Sequence, residues 1–188
     1  MRSFELAYDY IVNNTEKSAD KGHKTEEAIN KIDEDLTRYL IDLSSEPLSQ
    51  KESEVLTNIL DSSRDLERIG DHGEALINLT DYIRRKKVEF SPAALQELDL
   101  IYNMTLSFIK ESLKSVEDND IELANSLVAK HEAIDKMERR LRKTHIHRLN
   151  RGECSTQAGV NFIDIISHYT RVADHAMNLA EKVQAEQI

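Results

Sequence analysis

Apolar side chains recur along this chain every three to four residues, the spacing of one helix face rather than the alternation of a strand. Between Val55 and Arg85 they fall at Leu56, Ile59, Leu66, Ile69, Leu76 and Ile83. A second run leaves Pro92 through Leu95, Leu98, Ile101, Leu106 and Ile109 and ends about Glu117. The last run sets Phe162, Ile165, Ile166, Tyr169, Val172, Ala173, Ala176, Leu179 and Val183 on one stripe. Polar breaks separate these runs. Ser44-Ser-Glu-Pro-Leu-Ser49 stops one helix at Pro47 and starts another. Ser91-Pro92 is an N-cap serine followed by proline at the first helical position. Glu117-Asp-Asn-Asp120 turns the chain and caps a helix running to Leu149. Asn150 to Ser155 is the final break, with Gly152 near a C-cap and Ser155 as the next N-cap. Gly22 falls where the second helix should be continuous and reads as a local break, costing about 1 kcal/mol relative to alanine.

Composition narrows the fold class to all-α. The 188 residues include 5 Gly and 2 Pro, too few turn residues for a sandwich, a barrel or a doubly wound sheet. Charged residues make up 32% and aromatics 5%, a balance suited to long helices facing water. With 35 Asp+Glu against 25 Lys+Arg the net charge is −10, which argues against a nucleic-acid partner and suits a cation binder. Cys154 stands alone, so no internal disulfide forms and a reducing compartment fits. No apolar run reaches the roughly 18 residues that span a bilayer, and no signal peptide shows at Met1–Tyr10.

The chain repeats itself. Glu27-Ala-Ile-Asn-Lys-Ile-Asp33 matches Glu132-Ala-Ile-Asp-Lys-Met-Glu138 at an offset of 105, and Arg68-Ile-Gly-Asp-His72 matches Arg171-Val-Ala-Asp-His175 at 103. Two tandem three-helix bundles with up-and-down helices follow, one over 1–88 and one over 89–188. The longer offset sets Met1 opposite Leu106, so the first helix should be shortened, lacking its opening half, as in a fragment that begins partway into a bundle.

Candidate chemistry concentrates in the repeated motifs. Glu67 and Asp71 lie four apart on one helix face, with Cβ atoms about 5–6 Å from each other. Like charges so placed can hold a cation, although a solvated acidic face beside Arg68 has the same spacing. Glu26 with Asn30, and His131 with Asp135, form equivalent pairs on the preceding helices, and Thr170 with Asp174 takes the place of Glu67 with Asp71. The first unit then offers Glu26, Glu67 and Asp71, the second His131, Asp135 and Asp174, each one ligand short of four. Carboxylates suit Mg, and the added imidazole moves the preference toward Zn, Mn, Fe or Ni. Cys154 reads as part of a helix start rather than as a nucleophile, and His145 and His147, two apart, should face different ways. The basic runs Arg84–Lys87 and Arg139–Lys143 read as solvated helix ends or as docking sites for anions.

With DLERIGDH in one half and RVADHAMNLAE in the other, the chain resembles the PhoU family of bacterial phosphate regulators. His147-Arg-Leu-Asn-Arg-Gly-Glu-Cys-Ser-Thr-Gln-Ala-Gly159 is similar to the PhoU-like domain at the C-terminus of sodium/phosphate cotransporters. The resemblance implies a six-helix, non-catalytic domain, cytoplasmic or on the cytoplasmic side of the inner membrane. Its acidic motifs would bind metal, and a phosphate transporter's membrane domain or a phosphate-sensing protein would be its partner, with homo-oligomers as a further option. The alternative is a metal-dependent hydrolase using the same Glu, Asp and His faces to activate water.

Overall fold

In the computed structural model, which describes residues 1–185, six helices follow one another: α1 (Arg2–Asn13), α2 (Glu16–Ser44), α3 (Gln50–Arg85), α4 (Pro92–Asp118), α5 (Ile121–Asn150) and α6 (Thr156–Gln184). No strand occurs among the described residues. Local chemistry sets the ends. The Ser49 hydroxyl accepts from the Glu52 backbone N–H, and the Glu52 carboxylate accepts from the Ser49 N–H at 2.8 Å, a complete capping box. Ser91, Asp120 and Ser155 accept in the same way from Ala94, Leu123 and Ala158. Helices α1 and α4 close on Asn14 and Asn119, both left-handed with φ 56° and 49°. Gly152, with φ 69°, takes the same conformation after α5, which glycine adopts without steric cost.

Helices α3 and α6 form the spine. Helices α1 and α2 pack on α3, α4 and α5 pack on α6, and α3 lies against α6; α2 and α5 touch only the helices of their own set. Asp65 meets His175 while His72 meets His168, so the two spine helices run antiparallel and the α2–α3 and α5–α6 turns sit at opposite ends. The α6 stripe is buried throughout. One core spans both sets, and Phe4 of α1 joins them: its ring stacks on Tyr102 of α4 at 5.3 Å and meets Tyr169 of α6 edge-on at 5.2 Å.

Two features differ from the sequence reading. Gly22 does not break α2; it lies buried in a continuous helix, where an added Cβ would stand 2.1 Å from Ile77 Cδ1 of α3. Close helix approach, not backbone freedom, explains that glycine. On α3, Ile69, Leu76 and Ile83 are buried as the periodicity implies, but Ile59 and Leu66 are exposed, as is Leu95 on α4. Helix α1 spans 12 residues against 27 for α4, and is too short to run beside the far half of α3.

Candidate metal centre

Helices α5 and α6 run side by side, and their repeated motifs face each other midway along. His131 and Asp135 lie one turn apart on α5, and Asp174 projects from α6. The His131 Nε2 sits 2.9 Å from Asp174 Oδ1, and one ligand atom from each of His131, Asp135 and Asp174 falls within 4.8 Å of the other two. The His131 ring also packs on Phe108 of α4, centroids 5.7 Å apart, which fixes its orientation. Among the described residues no other three His, Cys, Asp or Glu side chains gather so closely. One nitrogen and two carboxylates at partly solvated positions match the donor set of a transition ion, with room for water at the remaining positions. Thr170 adds nothing: its hydroxyl donates to the Ile166 carbonyl one turn back.

The first set places the same motif positions differently. Glu26, only 7% exposed, takes a hydrogen bond from the Asn30 amide on its own helix. Burial raises its carboxyl above the usual range, Asn30 opposes the rise, and the charges of Glu74, Asp71 and Glu27 add to it. Glu67 is likewise raised, first by burial and then by Asp71 beside it. Arg68 already neutralises this face, with its guanidinium 2.9 Å from Asp71 and 3.6 Å from Glu67. Of the six candidate ligands the structure therefore gathers His131, Asp135 and Asp174, and leaves Glu26, Glu67 and Asp71 on a face served by protein donors.

Residues 2–80 and 98–183 match the family profile described as the PhoU domain. The chain belongs to the PhoU family. A phosphate-specific transport system accessory protein, PhoU homolog 1 of Thermotoga maritima, is 32% identical over 133 residues, covering 71% of this chain and 56% of that relative. The chain thus spans a little over half the length of that PhoU relative. Two solved structures share the fold. PhoU from Pseudomonas aeruginosa superposes with TM-score 0.86 at 18% identity, over 96% of this chain and 86% of that one. The phosphate transport system regulatory protein PhoU from Streptococcus pneumoniae gives 0.82 at 22%, over 96% and 84%.

Sequence reasoning missed the polar joint between the two PhoU-type units. Asp65 on α3 accepts from His175 at 3.0 Å and from the Asn178 amide at 2.8 Å, and pairs with Lys182 at 3.3 Å. Two turns further, His72 and His168 meet Nδ1 to Nδ1 at 3.1 Å. Burial, with help from the neighbouring His168, His175 and Arg171, lowers His72 to about 4, and burial lowers His168 as well. The lowered proton affinities favour neutral rings, and the bond between them needs one Nδ1 that carries a proton and one that does not. The signal was the spacing of His168 and His175, two turns apart on one face of α6. A fully buried histidine lies elsewhere: His145, 1% exposed, stacks on Phe162 at 4.3 Å and lies 3.7 Å from Cys154 Sγ, while His147 is exposed on another face. Among the described residues no helix is long and apolar enough to cross a membrane.

Proposed function

We propose that this chain regulates phosphate transport without catalysing a reaction, through contacts between its helix surfaces and a phosphate transporter or a phosphate-sensing protein. The observation that carries this reading is the match of both halves to the PhoU domain, each half with its own motif helix. Its relatives include proteins named for accessory and regulatory roles in phosphate transport. On the resemblance of residues 147–159, a sodium/phosphate cotransporter is the proposed parent or partner, with the domain at the cytoplasmic face of the membrane. His131, Asp135 and Asp174 are proposed to hold one divalent transition ion that ties α5 to α6. The imidazole turns the choice toward Zn, Mn, Fe or Ni and away from Mg.

Phosphate uptake in cells with and without the gene for this chain tests the regulatory role. A changed uptake rate, or a lost response to external phosphate, is the expected result. Unchanged uptake together with an unchanged response would overturn it.

A further inference from the structure

The two repeats meet through the same contact made twice, with different chemistry each time. At the 103-residue offset His175 corresponds to His72 and Asp65 to His168, so His175 with Asp65 and His72 with His168 occupy equivalent places on α3 and α6. The first pair sets an imidazole against a carboxylate, and Asn178 and Lys182 also serve Asp65. The second sets imidazole against imidazole, Nδ1 to Nδ1 at 3.1 Å with the ring planes at 62°. Ala75 and Leu79 stand where the first pair has Asn178 and Lys182, so neither position brings a polar donor to the second. Two bases face each other where the other copy of the contact sets a base against an acid.

That spacing suits two ligands of one ion. With nitrogen–metal bonds of about 2.0–2.1 Å, neighbouring ligand atoms lie about 2.9 Å apart in a square arrangement and about 3.4 Å apart in a tetrahedral one. The pair falls between the two. Both rings are half-buried between long helices, and His175, its ring 5.6 Å from that of His72, is held by Asp65 and walls one side. Arg171 and Arg68 oppose a cation here and Asp164 favours one, but Arg68 is already paired with Asp71 and Glu67. We propose that His72 and His168 form a bis-imidazole site for a late first-row divalent ion, Cu(II) or Ni(II), which joins α3 to α6 with water at its remaining positions. Binding needs one rearrangement. The ring that carries its proton on Nδ1 moves it to Nε2, so both Nδ1 lone pairs face the ion and no proton is released. The site is separate from His131, Asp135 and Asp174, and its case is independent of that centre and of the regulatory role.

The test titrates Ni(II) alone, at neutral pH, into the full chain carrying His131→Ala and Asp174→Ala, which removes the α5–α6 centre. Saturable one-to-one binding is expected, with a rise in melting temperature, because the ion ties two helices that separate on unfolding. Adding His72→Gln or His168→Gln to that background should weaken binding by at least the roughly tenfold that loss of an outer partner costs. Glutamine keeps a hydrogen bond and lacks the imidazole nitrogen, so a contact that holds only a proton would survive the change. His175→Gln, which removes neither Nδ1, should leave binding largely unchanged. Should neither glutamine variant fold, electron paramagnetic resonance of the Cu(II) complex counts the bound imidazoles directly, and two are expected. Non-saturable binding, unchanged affinity in both glutamine variants, a loss with His175→Gln equal to that with His72→Gln, or an imidazole count other than two would each overturn the proposal.

Discussion

The two three-helix sets carry the same motifs at the same positions and use them differently. In the second, His131 reaches across from α5 to Asp174 on α6, and Asp135 joins them from one turn away. In the first, the residue in the place of Asp135 is Asn30, whose amide satisfies Glu26 within α2, and Arg68 occupies the carboxylates of α3. A neutral amide ends the chain of interactions inside one helix, whereas a carboxylate beside an imidazole leaves acceptors open between two. Three substitutions, Glu26 for His131, Asn30 for Asp135 and Glu67 for Thr170, thus separate a face closed within its own helices from one whose side chains meet across two. The contrast extends to the covering helices, because α4 runs the full length of its set and α1 covers half of its own.

The largest effect should come from breaking what holds α4 in place. Arg148 on α5 grips Glu97 of α4 with both guanidinium arms, one at 3.0 Å, with little of either side chain exposed, whereas the matching position on α2 is Leu43. Arg148→Ala is expected to cost about 3 kcal/mol in urea unfolding, because it strands the Glu97 carboxylate. Next comes Gly73→Ala, since a Cβ there would lie 2.2 Å from Ser3 Oγ and 3.1 Å from the Ser3 backbone of α1. The second set already has Ala176 at that position. Gly73→Ala should destabilise by about 2 kcal/mol, and Ala176→Gly by about 1 kcal/mol. Equal costs for the two would erase the difference in how closely α1 and α4 approach the spine.

Zinc titration by equilibrium dialysis then sharpens the comparison between the motif faces. Asp174→Ala and His131→Ala are expected to weaken binding about tenfold or more, while Glu67→Ala and Asp71→Ala leave it within about twofold. The reverse order would move the metal centre to the first set. The smallest effect concerns the joint between them. His72 is neutral when folded, with its proton affinity lowered to about 4, whereas the unfolded chain takes up the proton near 6.5. The unfolded state therefore binds more protons between those values, so stability holds above pH 6.5 and falls as the pH drops toward 4. His72→Gln should flatten that slope in thermal melts by a few degrees at most; an unchanged slope would assign the loss to other groups.

Much of the architecture was legible because its punctuation is chemical. Pro47, the Ser91-Pro92 pair and the Gly152–Ser155 break each act through local backbone geometry, and each sits where a helix ends or starts. The repeat pointed to His131, Asp135 and Asp174 because offsets of 105 and 103 map one helix pair onto the other. Gly22 was misread because a glycine in a helix looks the same whether it bends the chain or admits Ile77, and only the neighbouring helix decides. Ile59 and Leu66 belong to a regular apolar stripe, yet periodicity cannot report whether a covering helix extends that far. Asp65 and His168 were overlooked because their partners lie about 100 residues away, on helices whose register the sequence does not print.

Helix α3 is a long lever, braced along its far arm by α2. From the His72 joint to Gln50 it runs 22 residues, an arm of about 33 Å. Each degree of tilt at the joint therefore swings the acidic end by about 0.6 Å, given the rise of a regular helix. The polar contacts among Asp65, His72, His168 and His175 stand at its fulcrum. Small rotations there become displacements comparable to an atomic radius at the far end, so packing at the spine sets where the acidic tip lies.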